Sequence, residues 1–414
     1  MKIKNIINSL IITSLMLFAV SCSDVVTYND GYDDQLTSFG PPTVSKITLA
    51  SDVKTAIEDA YIADMITIHG DNLAEVESIY INDIEINLST VYARRTGITL
   101  PVPRSLPLEI DNKVKIKTRL GSVSTPLEVT IPDLVMDGFY NEFALDDDTT
   151  RIIGDFFDVY DITKELATVK LNGTELPIIE SSETFLSIRI PEGTPANSVL
   201  TISSPRMESP VDLKFRNMGY PILDMNDLGG TNWAWIDDDN GNKYGYKYVT
   251  DGENNGDPET LGGNFFRFHG YKDGAPYGQY DWVNILYARF DMTDADIINN
   301  PQNYYMKFEI NNNPKTPLKP LIRVGRNSEG GKNYEWDPKI FNGGLSLNTN
   351  GQWKTLKFEL LDMFRSNDYP AVQNKTNLLL PEDASDRNHF IIVYNPLEAG
   401  DADVSLMNFR IVKK

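Results

Sequence analysis

The 414-residue chain carries 59 acidic against 38 basic side chains, a formal net charge of −21. Such a surface repels nucleic acid and anionic bilayers, which excludes a phosphate-backbone partner. With 41% hydrophobic residues, 10% aromatics, 28 glycines and 23 prolines, the composition is that of turn-rich globular domains, and the length implies about two to four of them.

Residues 1–21 place Lys2 and Lys4 before a largely apolar run from Ile6 to Val20, the pattern of a secretory signal peptide. No other stretch is long enough to cross a bilayer. The run LFAVSC ends on Cys22, the only cysteine in the chain, and it resembles a bacterial lipobox. That resemblance implies lipidation of Cys22 and a mature chain beginning there, with no thiol left for a disulfide or a metal. Residues 22–40 read as a lipidated flexible tether with an acidic start, similar to those of surface lipoproteins of Bacteroidetes-type bacteria.

From Pro41 onward short apolar runs alternate with turn signals: VSKITLA, DMITIHG, SIYINDIEINL, KVKIKTRLG. Period-two runs at this spacing predict an all-β sandwich. Only KTAIEDAYIA, residues 54–63, has a helical pattern, and a helix is expected there. The same grammar then repeats. IYINDIEI (79–86) recurs as VKLNGTELPI (169–178), and TGITLPVPRSLP (96–107) as TFLSIRIPEGTP (184–195). NKVKIKTRLGSVSTPLEV (112–129) answers to NSVLTISSPRMESPVDLKF (197–215). Residues 41–132 and 133–217 are therefore two copies of one β-module. PTVSKITLAS, ITIHGDNL (66–73), IYIND and the closing basic strand resemble immunoglobulin-like IPT/TIG domains, with IIGDFFDV (152–159) as the diverged second version. The resemblance implies a spacer role.

All five tryptophans lie beyond Gly219. FFRFHG, WVNILYARFDM, NYYMKFEIN, WKTLKFELL and NHFIIVYNP predict that residues 218–414 form one larger, jelly-roll-like β-sandwich. Between these strands lie long stretches rich in Gly, Asn and Asp, where such folds place ligand sites.

Signatures of catalysis are mostly missing from the sequence. His69, His269 and His389 lie far apart, with no HExxH and no GxSxG, so neither a zinc site nor a serine nucleophile is supported. GRNSEGGKN (325–333) approaches a phosphate loop but has Gly331 where Lys is required. Asp237, Asp238 and Asp239 before Asn240 and Gly241 miss the register of a calcium loop. No cofactor and no metal are expected. A carboxylate pair for glycoside hydrolysis stays open, because an acidic chain supplies many candidates.

The aromatic-rich segments point elsewhere. A sugar offers flat C–H faces ringed by hydroxyls, so its binder needs exposed rings beside planar polar side chains. FHGYKDGAPYGQYDW supplies Tyr271, Tyr277, Tyr280 and Trp282; GGKNYEWDP supplies Asn333, Tyr334 and Trp336; GGTNWAWIDDD supplies Trp233 and Trp235. Arg267, His269, Asn311, Arg323 and Arg326 are candidate hydroxyl partners. Trp353 leads into an alternating strand and is assigned to the core. Core packing is the alternative for Trp282, which opens a strand, and for Trp233 and Trp235, which share one parity.

The lipobox, acidic tether, TIG-like modules and a last domain with NYYMKFEIN, YEWDP and GQWKTLKFEL resemble the surface glycan-binding proteins of Bacteroidetes polysaccharide-utilisation loci. This implies a non-catalytic, lipid-anchored outer-membrane protein facing the exterior. It would bind a polysaccharide through its C-terminal domain and cooperate with an outer-membrane transporter and its lidding lipoprotein. Tyr334 and Trp336 are the positions the resemblance carries over most directly. A β-sandwich glycoside hydrolase and a protein-binding adhesin are the alternatives.

Overall fold

The computed structural model of the chain describes residues 35–226, 233–236, 248–272, 286–291, 293–313, 315, 321–326, 335–336, 346–361, 365–368, 371–378, 389–395 and 400–414. At 233–236, 272, 286–291, 321–326, 335–336, 365–368, 371–378 and 389–395 only the backbone is described. The contact pattern separates two bodies, residues up to Asp133 with Asp158–Tyr160, and Leu134–Phe157 with Asp161–Lys414.

In the first body, strands Thr43–Leu49, Met65–Asp71, Gly97–Pro101 and Tyr92–Arg94 form one antiparallel sheet. Strands Ile84–Glu85, Val76–Ile81, Lys113–Thr118 and Gly121–Pro126 form the facing sheet. Alternation dictates the layers: in Lys113–Thr118 every second residue is buried, as a sheet with one wet face requires. Ile66, Ile68 and Ile98 meet Ile79, Val114 and Ile116 in one core. Truncating any of these isoleucines to alanine costs about 2–5 kcal/mol.

The helix expected over 54–63 is absent. Asp52 instead accepts hydrogen bonds from the backbone N–H of Lys54 and Thr55, a turn that competes with helix initiation. Asp59–Tyr61 then pairs in parallel with Glu128–Thr130, burying Ala60. The helix-like spacing of Ile57 and Ala60 reports one-sided burial of a turn and a short strand.

Strands Val135–Phe139, Thr149–Asp155, Phe185–Arg189 and Ile178–Ser181, with Thr174–Leu176, Thr168–Leu171, Ser198–Ser203 and Val211–Phe215, build a second sandwich of the same strand order. Two devices recur residue for residue. Gly70 and Gly154 sit beside matching bulges; a Cβ there would stand 1.9 Å from the Thr43 carbonyl oxygen and 2.1 Å from that of Val135. Asn82 and Asn172 take the left-handed conformation, with φ of 55° and 48°. Each side-chain carbonyl accepts a backbone N–H near the start of a later strand, from Asn112 just before Lys113–Thr118 at 2.8 Å and from Val199 within Ser198–Ser203 at 2.9 Å. Asparagine suits both tasks, because it tolerates positive φ and bonds backbone locally.

The C-terminal domain packs two sheets. The larger orders Val249–Thr250, Phe265–Lys272, Gly400–Lys413, Tyr304–Asn312 and Lys354–Glu359, with Tyr220–Leu223 also on the 14-residue final strand. The smaller orders Trp233–Ile236, Leu286–Asp291, His389–Asn395, Leu321–Arg326 and Glu335–Trp336. Phe266, Phe308, Leu406 and Phe409 centre the core; Phe308 stacks on Phe409 at 4.8 Å. Gly219, at φ 48°, opens the domain where a Cβ would meet the Ile411 carbonyl oxygen at 2.3 Å. Among the described residues the one α-helix of this domain is the single turn Ala295–Asn299, capped by Asp294.

The second sandwich is joined to this domain by buried charge. Glu142 and Arg410 are each 2% exposed and Glu309 is fully buried. Arg410 donates to Glu142 at 3.1 Å and to both Glu309 carboxylate oxygens at 2.9 and 3.0 Å. Lys307 closes on Glu142 at 2.5 Å, and the Glu142 backbone N–H donates to the Thr355 hydroxyl at 2.8 Å.

Candidate functional site

Register assigns each face of the smaller sheet its residues, because directly paired residues share a face and neighbours alternate. One face collects Ile236, Leu286, Tyr394 and Ile322 in one row, Ala234, Ala288, Ile392 and Val324 in the next, and Phe290 and Phe390 beyond. The other collects Trp235, Tyr287, Val393 and Arg323, then Trp233, Arg289 and Ile391. Register thus sets Trp235, Tyr287 and Arg323 in one row and Trp233 and Arg289 in the next, residue types suited to flat, hydroxyl-bearing ligands.

On the larger sheet, Arg267, His269 and Tyr271 share a face with Ser405, Asp403 and Asp401. Here the guanidinium is already engaged. Arg267 grips Asp403 through Nε and Nη2 at 2.9 and 3.0 Å and Asp257 through Nη1 at 2.5 Å. His269 Nδ1 lies 3.1 Å from Asp403. Burial pushes the Asp403 carboxyl up, but the hydrogen bonds from Arg267 and His269 outweigh it and hold the group below its ordinary 3.8. Asp257 is likewise held low, with burial opposed by Thr250 and Arg267. Arg267, a candidate hydroxyl partner by sequence, therefore acts as a clamp on residues 250–257. Asn311 is 5% exposed, with its Nδ2 donating to the Gly351 carbonyl at 2.8 Å.

The sequence candidates divide between the two layers. Tyr271 is 64% exposed and stands on the larger sheet. Trp336 and Arg326 belong to the smaller one, where register puts Trp336 in the row of Ile322 and Arg326 in that of Phe390, the apolar face. Tyr277, Tyr280, Trp282, Asn333, Tyr334 and Cys22 lie outside the described residues, as does the Asp237–Asp239 run. Trp353 is in the core as expected, 6% exposed, edge-on to Phe265 at 5.5 Å. His69 is structural, its Nε2 3.0 Å from the Thr48 hydroxyl; burial, with Lys46 nearby, pulls its pKa below 6.5. Among the described residues no cluster of His, Cys, Asp or Glu could hold a metal ion. Sequence reasoning passed over Tyr287 and Arg289. The signal was the alternation in LYARFD, which sets Tyr287, Arg289 and Asp291 against Leu286, Ala288 and Phe290.

Two β-sandwiches of one strand order, followed by a two-sheet C-terminal domain, define a modular β-sandwich protein. Residues 216–413 match the family model of the surface glycan-binding protein B xyloglucan binding domain, so the C-terminal domain is similar to that domain. The fold is similar to that of the surface glycan-binding protein B of Prevotella bryantii: TM-score 0.51, 16% identity, covering 91% of this chain and 99% of that one. A surface glycan-binding protein B from a complex xyloglucan utilisation locus of Bacteroides uniformis aligns at TM-score 0.44 and 13% identity, covering 90% and 99%. No curated protein matches the chain.

Proposed function

We propose that the C-terminal domain holds a xyloglucan-type polysaccharide, without cleaving it, on the face of the smaller sheet that carries Trp233, Trp235, Tyr287, Arg289 and Arg323. The observation that carries this reading is the register, which brings residues from three separate chain segments onto adjacent rows of one face. The domain's family supplies the substrate class. Sugar rings stack on the indoles, and each guanidinium can bridge neighbouring hydroxyls. Tyr277, Tyr280 and Trp282 fall between the strands Phe265–Lys272 and Leu286–Asp291, and Asn333 and Tyr334 directly precede Glu335–Trp336. In this reading they are further ligand contacts, whereas Trp336 and Arg326, whose register puts them on the opposite face, and Tyr271, on the larger sheet, are not part of the platform. Lipidated Cys22 would tether the protein to the outer membrane, facing outward, where the captured chain passes to a transporter and its lidding lipoprotein.

The test is retardation in native gels containing xyloglucan, mixed-linkage β-glucan or starch. Wild type is expected to be retarded by xyloglucan. Trp233→Ala with Trp235→Ala removes two stacking rings and weakens binding by roughly tenfold or more, at about 0.5–1.5 kcal/mol per ring beyond area burial. Unchanged retardation of this variant would move the site elsewhere. Release of reducing ends that one Asp or Glu substitution abolishes would replace binding with hydrolysis.

A further inference from the structure

The second sandwich and the C-terminal domain together enclose a cleft of about 330 Å³, at the small end of the roughly 300–1,000 Å³ typical of small-ligand sites. We infer that this cleft is a second saccharide site, distinct from the sheet platform, which takes one end of a neutral sugar chain or a free disaccharide. Its inner wall is buried: Thr150, Asn311 and Trp353 are 3%, 5% and 6% exposed. Its outer residues, Asp148, Thr149, Glu259 and Gln352, are exposed.

The hydrogen-bond inventory gives the ligand's chemistry. Trp353 donates its indole N–H to the Glu259 carbonyl at 2.7 Å, so the ring is a fixed wall rather than a donor. The Nδ2 of Asn311 is satisfied by Gly351, while its Oδ1 has no protein partner among the described residues. The side chains of Asp148, Glu259 and Gln352 also make no hydrogen bond among the described residues. Uncommitted acceptors on Asn311, Asp148, Glu259 and Gln352 thus stand beside the N–H donors of Arg151 and Gln352, a mixed set that suits a ligand whose hydroxyls both donate and accept. Two carboxylates face one guanidinium, Arg151, itself stacked over Phe185 at 4.5 Å; that balance disfavours an anion. Tyr140 and Trp353 add flat apolar surface for a C–H face.

The cleft is also preorganised. Tyr140 accepts the Thr355 backbone N–H at 2.7 Å, two residues before Glu142 enters the buried ion cluster, so its two walls are fixed before any ligand arrives. A site of this size admits a short saccharide and not the length of a polymer. The choice of a β-glucan disaccharide as probe rests on the function proposed above; the hydroxyl-binding chemistry does not.

The test is saturation-transfer NMR of the full chain with cellobiose, run beside the xyloglucan gel assay. Thr149→Trp plugs the cleft from its exposed rim, and Gln352→Ala removes a carboxamide; unchanged unfolding midpoints show that both variants are folded. Cellobiose binding is expected to fall at least tenfold in T149W, to weaken in Q352A, and to survive in the W233A/W235A pair. Wild-type binding in T149W and Q352A overturns the inference, as does a wild type that binds no cellobiose. If W233A/W235A abolishes cellobiose binding while T149W keeps it, the platform stands and the cleft falls. If T149W loses cellobiose and W233A/W235A still binds xyloglucan normally, the cleft stands and the platform reading fails.

Discussion

The two immunoglobulin-like modules share strand order, bulge glycines and left-handed asparagines, yet they use charge in opposite ways. The first keeps its ion pairs wet: Arg119 on Glu75 and Lys117 on Glu77 have side chains 29–63% exposed. The second sends Glu142 into the C-terminal domain, where Arg410 and Glu309 receive it at 0–2% exposure. A common fold therefore serves as a separate body in one copy and as a wall of the binding domain in the other. The difference lies in a few side chains at one end of the sandwich and not in its core.

The largest effect should come from breaking the buried cluster. Glu142→Ala leaves Lys307 without its carboxylate partner and Arg410 with Glu309 alone, and is expected to destabilise the second body by about 3–5 kcal/mol. Glu75→Ala in the first module removes an exposed pair and should leave its transition almost unmoved. Calorimetry of the full chain, resolving one transition per body, reads both. Equal shifts in the two variants would erase the distinction between the modules.

A backbone change of similar kind in both modules comes next. Gly70→Ala and Gly154→Ala each drive a methyl group against a strand carbonyl, with the added atom at 1.9 and 2.1 Å. Each should cost at or beyond the top of the about 1–3 kcal/mol usual for overpacking. The consequences differ by location. Gly154→Ala is expected to weaken xyloglucan retardation as well, because its module forms one body with the binding domain, whereas Gly70→Ala should leave retardation unchanged. Loss of retardation in both would mean that the first module also supports the site.

Much of this was legible in the sequence, for a reason that also explains the omissions. Alternation and turn chemistry are local, so KVKIKT, the NDI and NGT turns and the paired bulge glycines announce two copies of one sandwich. The ion cluster joins residues 101 to 268 positions apart, and each member, seen locally, resembles a solvated face. No period marks it. The proposed platform falls between these cases. Trp233 and Trp235 were visible as a pair, but only pairing with Leu286–Asp291 reveals Tyr287 and Arg289 as their neighbours, and that pairing is not local either. KTAIEDAYIA misled because burial on one side of a turn imitates a helical stripe.

The smallest expected effect concerns acid and salt. Asp257 and Asp403 are both held below 3.8 in the folded chain. A depressed carboxyl pKa contributes stability that is full above the ordinary carboxylate value and is lost as pH falls through the folded-state value. Glu309 has the opposite sign. Burial raises its pKa above 4.5, against the attraction of Arg410, so its contribution favours the folded state most at low pH and declines as pH rises. The clamp therefore supplies the acid-sensitive share of the second body's stability, and Asp403→Asn should flatten the fall of its transition below about pH 4. In the first module Glu75 and Asp111 are also held low, by Arg119 and Lys115 respectively, but those pairs are exposed and screened within about 10 Å at 0.1 M salt. Raising salt from 0.05 to about 0.5 M should weaken the acid response of the first transition and leave that of the second largely intact. A second transition that responds to salt as strongly as the first would show that the clamp is hydrated, and that burial of charge does not separate the two modules.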